Sequence, residues 1–126
     1  MERKRVLSVG QCGVDHSAIT WTFRQSFGAQ VTSASDAGEA LAHLAKEKYD
    51  LILVNRILDA DHSPGMDVIK QIKATPACAA TPVMLVSNHE SAQQEAVALG
   101  AVPGFGKAAL TDDAAMERVR PYLETT

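Results

Sequence analysis

The residues of this 126-residue chain that could do chemistry gather in four polar stretches, each following an apolar run: Gly10 to Asp15, Asn55 to Asp61, Ser87 to His89, and Phe105 to Ala108. Asp59, Asp61 and His62 are of types that ligate transition metals. Set beside Ser63, Pro64 and Gly65, they read instead as solvated turn residues, and no metal site is expected there. Asp15, or Ser17 after it, is placed to cap the first helix by accepting a backbone N–H bond; a weak Mg²⁺ ligand is the alternative role for that carboxylate. Cys12 is the candidate nucleophile if the chain is an enzyme, yet His16 is not evidently placed as its base. Asn55 offers only a carboxamide, an uncharged and poor nucleophile. Ser87 supplies a hydroxyl and Lys107 a cation.

Holding these stretches together requires a scaffold, and the apolar pattern supplies one. Val6 to Val9 reads as a strand ended by Gly10, and Ile19, Phe23 and Phe27 then recur at a spacing of four, as on one face of a helix closed by Gly28. Ala29 to Thr32 reads as a second strand. Asp36 and Glu39 form a capping box for a helix to about Lys48, with Ala37, Leu41 and Leu44 inward. Leu51 to Val54 is a continuous apolar run, as expected of a strand covered on both faces. Met66, Ile69 and Ile72 mark a third helix, and Pro76 and Pro82 bracket the next linker. Val83 to Val86, Ser91 to Leu99 with Gly100 as its stop, Val102 to Phe105, and Asp112 to Leu123 complete five strands alternating with five helices. That alternation predicts a doubly wound α/β fold of flavodoxin type, a parallel sheet with helices on both faces. By analogy with such folds the strand order is 2-1-3-4-5, with the ligand crevice at the carboxyl ends of the strands.

Composition narrows the function classes. An apolar fraction of 46% and a charged fraction of 21% lie near globular averages, and the length suits one domain over residues 1–126. A formal charge of -3 gives no field for nucleic acid or anionic membrane, and the short basic start from Arg3 to Arg5 reads as a solvated flank. The lack of a secretory start or a long apolar run points to the cytoplasm. Cys12 and Cys78 show neither zinc spacing nor a pairing signal. No GxGxxG follows a strand, and Gly10 with Gly13 is too sparse for a flavin or dinucleotide site, so no cofactor is expected.

The stretches DLILVNRILDADHSPGMDVIKQIK, TPVMLVSN and ALGAVPGFGKAAL give the whole chain a resemblance to the receiver domain of bacterial response regulators, the CheY-like superfamily. Receivers carry an acidic pair after the first strand, a phosphoacceptor aspartate ending the third, a hydroxyl ending the fourth, an aromatic on the fifth, and Lys-Pro after it. The resemblance places the acidic pair on Gly10 and Gln11, the phosphoacceptor on Asn55, the hydroxyl on Ser87, the aromatic on Phe105, and the lysine on Lys107. It therefore implies a degenerate phosphorylation site with no acyl-phosphate chemistry. Ala108 replaces the proline, so a trans bond is expected there, and Lys107 is expected to reach Asn55, Asp59 or, first of all, water. The loop from Arg56 to Gly65 is longer than its receiver counterpart and is expected to lie over the pocket. Phe105 reads first as packing, with the family's rotamer coupling as the alternative.

The resulting expectation is a pseudo-receiver: a non-enzymatic, phosphorylation-independent protein-interaction module of bacterial two-component signalling. The partner is a protein or a second copy, docked on the face of the fourth helix, fifth strand and fifth helix. There Ala92, Ala96, Ala98, Ala114 and Ala115 would permit close helix approach. Two alternatives stand beside it: a receiver-like domain that binds a small ligand or is phosphorylated at another residue, and a small enzyme using Cys12.

Overall fold

The computed structural model describes residues 3–107, 110 and 112–124. Strands β1 (Arg5–Val9), β2 (Gln30–Ala34), β3 (Leu51–Asn55), β4 (Val83–Val86) and β5 (Val102–Phe105) alternate with helices α1 (Gly13–Phe27), α2 (Ala37–Lys46), α3 (Gly65–Lys73), α4 (Glu90–Ala98) and α5 (Asp113–Leu123). The strands form one parallel sheet in the order β2-β1-β3-β4-β5, as expected by analogy with doubly wound folds.

Strand side chains alternate between two packed layers because successive residues point to opposite faces. Leu7, Val9, Ile52, Val54, Val83 and Leu85 face α2, α3 and α4, where Ile69, Ile72 and Ala96 meet them. Val6, Leu51, Leu53, Met84, Val86 and Phe105 face α1 and α5, against Ile19, Phe23, Val119 and Leu123. This explains why β3 and β4 read as unbroken apolar runs: both of their faces are covered. Among the described residues, no helix is long and apolar enough to cross a membrane.

Local signals mostly hold, with three shifts. Asp36 Oδ1 accepts the Glu39 N–H at 2.9 Å as predicted, while Glu39 reaches back to the N–H of Ser35 rather than to that of its capping partner. The cap of α1 is neither Asp15 nor Ser17: the helix starts at Gly13, and Cys12 Sγ accepts the Asp15 N–H at 3.5 Å. Strand β2 runs two residues past the predicted Thr32. It pairs residue for residue with β1 from Arg5↔Gln30 to Val9↔Ala34, because the backbone ladder forms whether or not Ser33 is apolar.

The β5 edge is held differently from the other strands. Met84 pairs with Val102 and Val86 with Phe105, so β5 carries one extra residue there, a bulge at Pro103 and Gly104. The Gln93 carboxamide of α4 fills the gap in the ladder. Its Nε2 donates to Leu85 O at 2.8 Å and to Ser87 O at 3.1 Å, and its Oε1 accepts Gly104 N–H at 3.0 Å. On the far side, Arg118 Nη1 of α5 donates to Gly104 O at 2.5 Å. A Cβ on Gly104 would stand 2.3 Å from Leu85 O, so only glycine allows this approach.

Gln93 thus acts as a surrogate peptide group between β4 and β5. Gln93→Ala leaves Leu85 O and Gly104 N–H without it and should cost about 1–3 kcal/mol in urea unfolding, with faster hydrogen exchange at the Gly104 amide. A loss below about 0.5 kcal/mol would mark the carboxamide as an idle surface group.

Candidate functional site

The carboxyl ends of β1, β3, β4 and β5 bring together Gly10, Asn55, Ser87 and Lys107. Asn55 Nδ2 donates to Gly10 O at 3.2 Å, and the Ser87 N–H donates to Phe105 O at 3.0 Å. Gly10 turns the chain out of β1 with φ 77°, a left-handed conformation that suits glycine. Its carbonyl takes a second donor, the Asp59 N–H at 3.0 Å, so both acceptor sites are filled. A Cβ at position 10 would stand 2.3 Å from Cδ2 of Leu58. Leu58 is 1% exposed and belongs to the core layer under α2, α3 and α4. The space into which a side chain at position 10 would project is therefore filled by leucine.

The β3–α3 loop that delivers Leu58 is folded on itself. Ile57 bridges Pro64, the Leu58 N–H donates to Ser63 O at 2.9 Å, and the His62 N–H donates to Leu58 O at 2.8 Å. His62 adopts φ 61°, at the tip. Asp61 Oδ1 accepts both the Ser63 hydroxyl at 2.6 Å and the Ser63 N–H at 2.9 Å, and these bonds, the hydroxyl first, hold its carboxyl below the usual carboxylate range. The carboxylate closes a local turn. Among the described residues, no group of three or more His, Cys, Asp or Glu side chains is arranged to hold a metal ion.

Lys107 was expected to reach Asn55, Asp59 or water; its ammonium instead meets Asp15 Oδ2 at 2.5 Å. That bond holds the Asp15 carboxyl below its ordinary pKa, with partial burial opposing it and the Cys12 thiol assisting. The pairing follows from the start of α1: with Gly13 as first helical residue, Asp15 lies in the first turn facing the β5 end. Both side chains are about a third exposed, so the pair contributes at most about 1 kcal/mol. Cys12 therefore has a carboxylate as its polar neighbour. His16 approaches Thr20 Oγ1 through Nε2 at 3.4 Å, and its Nδ1 is buried without a partner among the described residues. The Gln11 carboxamide is similarly shielded, with neither its oxygen nor its nitrogen bonded among those residues.

Ser87 is buried, and its Oγ accepts the His89 N–H at 3.1 Å. Phe105 points away from α4: its ring packs 6.2 Å from that of Phe23 in the α1 and α5 layer. The position of β5 that faces α4 is Gly104, which has no side chain to swing. Phe105 is packed in the α1 and α5 layer because strand alternation puts residue 105 on that face of the sheet.

The face of α4, β5 and α5 carries an open groove of about 630 Å³ lined by Gln93, Gln94, Val97, Pro103, Gly104 and Arg118, among others. Its expected alanine surface is mostly absent. Ala92, Ala96 and Ala115 are buried against the sheet, and only Ala98 and Ala114 are exposed. Val97 is the exposed apolar residue there, 44% accessible, whereas the most exposed large apolar side chains are Val14 and Trp21 on α1. Three residues that shape the site escaped the sequence reading: Leu58, Gln93 and Arg118. The pair Ile57-Leu58 inside a polar loop was a usable sign of an inward-turning segment. Gln93 and Arg118 sit at ordinary helix-surface positions and carry no such sign.

The family model for the response regulator receiver domain matches residues 14–117. A sequence search of curated proteins finds no match. Among solved structures, the chemotaxis response regulator CheY4 of Vibrio cholerae superposes with a TM-score of 0.73 at 23% identity, covering 94% of this chain and 99% of that one. A response regulator receiver protein from Pseudomonas putida gives 0.77 at 24%, over 96% and 98%. The Mn²⁺-bound form of the response regulator Rcp1 gives 0.73 at 18%, over 98% and 96%. With the family model covering residues 14–117, from α1 into α5, and the sheet order in agreement, the chain belongs to the response regulator receiver domain family.

Proposed function

We propose that this chain is a pseudo-receiver, a phosphorylation-independent protein-interaction module of signal transduction. The observation that carries this reading is Leu58 against Gly10. A receiver needs carboxylates after β1 to hold a divalent cation and one at the end of β3 to accept the phosphoryl group. Here position 10 has a left-handed backbone facing a buried leucine, position 11 is a carboxamide, and position 55 is a carboxamide bonded to Gly10 O. Charge stabilisation by the metal is a dominant contribution to such transfers, so losing it is not repaired by one residue. The Mn²⁺-bound form of Rcp1 shares this fold. An enzyme built on Cys12 finds no support in its surroundings, since its neighbour Asp15 is engaged by Lys107.

Incubated with acetyl phosphate and Mg²⁺, the wild-type protein and Asn55→Asp should both show no added phosphoryl mass by intact-protein mass spectrometry. A hydroxylamine-labile adduct on the wild type would overturn the reading. Building the acidic pair back through Gly10→Asp and Gln11→Asp meets a steric obstacle as well as a missing charge. Gly10→Asp should cost about 1–3 kcal/mol from the backbone alone, and more from the clash with Leu58. In a Leu58→Ala background the same substitution should cost less by at least about 0.5 kcal/mol in urea unfolding. Strict additivity would show that Leu58 does not block the position.

For the interaction itself, the α4, β5 and α5 face is the first candidate and α1 the second. Val97→Glu should weaken self-association or partner capture roughly tenfold while changing stability by less than about 0.5 kcal/mol. If light scattering and pull-down are instead sensitive to Trp21→Glu and not to Val97→Glu, the docking surface is α1.

A further inference from the structure

We propose that the groove between α3 and α4 binds a short zwitterionic peptide, a dipeptide or tripeptide with free termini and apolar side chains. The groove holds about 640 Å³, within the roughly 300–1,000 Å³ of sites for small organic ligands. It opens beside the β3–α3 loop, and neither Ser87 nor Lys107 lines it. Its apolar part is preformed. Ile57 and Pro64 are brought side by side by the bridge that closes the loop, and Met66 of α3 and Ala92 of α4 continue that surface inward. The Gly65 N–H donates to Arg56 O at 2.7 Å and fastens the loop at the end of β3, so little freedom is lost when a ligand settles there.

Two cations and two carboxylates line this groove: Arg56 in the loop, Asp67 and Lys70 on α3, and Glu95 on α4. All four are exposed, and among the described residues none has an ion-pair partner, whereas Arg5, Lys107 and Arg120 each hold a carboxylate. Charges of opposite sign therefore stand on the walls of one groove without meeting across it. A ligand of a single charge would face as many like as opposite charges; a ligand with an anionic and a cationic end satisfies one sign at each end. The Arg56 guanidinium matches a C-terminal carboxylate through two parallel N–H bonds, and Glu95 with Asp67 matches an N-terminal ammonium. The Ser91 hydroxyl between them offers the donor and the acceptor that a peptide group requires. A single amino acid carries both charges on one carbon, too close together to reach both ends, whereas each added residue separates them by up to about 3.3–3.6 Å.

The test is a titration of the full chain with the dipeptide Leu-Leu at constant ionic strength, followed by amide chemical shifts. The comparison ligands are leucine, N-acetyl-Leu-Leu, Leu-Leu amide, and the dipeptide blocked at both ends. Leu-Leu should give saturable shifts centred on Ile57, Met66, Asp67 and Ser91, and each comparison ligand should bind at least about tenfold more weakly. Arg56→Ala should weaken Leu-Leu and N-acetyl-Leu-Leu roughly tenfold and leave the amide unchanged, because the amide has no carboxylate to lose. Glu95→Ala should weaken Leu-Leu and the amide by a similar factor and leave N-acetyl-Leu-Leu unchanged. Damage to the fold would weaken every ligand alike, so the crossed pattern reads the two charge contacts themselves. No saturable shift at tens of millimolar Leu-Leu, leucine binding as tightly as the dipeptide, or loss of the crossed pattern would each overturn the inference. Equal affinity for the doubly blocked dipeptide would also overturn it, and would make the groove a dock for an internal segment of a protein chain. None of these outcomes bears on phosphoryl uptake, so the pseudo-receiver reading is tested separately by intact mass.

Discussion

A side chain at position 10 would compete with Leu58 for the same space. The chain leaves β1 in a left-handed turn, its carbonyl is saturated by the Asn55 amide and the Asp59 N–H, and the leucine of the next crossover loop is seated where a side chain would stand. These contacts tie β1, the end of β3 and the β3–α3 loop into one unit. Leu58 is continuous with the core that also holds Leu7, Val9 and Ile69, so opening the site would expose apolar surface. The end of β1 is here partly an extension of the hydrophobic interior.

Charge around the site is rearranged to match. With Asn55 neutral, nothing at the end of β3 draws Lys107 inward, and the ammonium settles on Asp15 at the start of α1. Asp15 is in turn engaged by the Cys12 thiol, which itself caps the helix through its sulfur. The first loop, the first helical turn and the end of β5 are thereby linked by a chain of modest contacts.

The β5 edge is held by side-chain contacts to its backbone. Gln93 and Arg118 bond the backbone of the bulge from both flanking helices, and Gly104 lies beneath Gln93 of α4. Phe105 is locked against Phe23 on the opposite face. The surface is braced from both flanking helices.

Much of this molecule was readable from residue order. Five apolar runs alternating with helical periodicity fix a doubly wound parallel sheet, since short strands covered on both faces leave few other solutions, and the strand-end residues Gly10, Gln11 and Asn55 are visible as letters. Strand ends were less legible, because β2 is extended through Ser33 by its partner strand and not by its own side chains. What tertiary structure alone decided is who meets whom across long sequence separations. Leu58 reaches Gly10, Lys107 reaches Asp15, and Gln93 reaches Gly104 only because the sheet order sets those loops side by side. The face on which Phe105 lies depends on a single extra residue in β5, and a one-residue change of register inverts every side chain beyond it. Local propensity carries no record of such a shift, so the folded sheet was needed to show it.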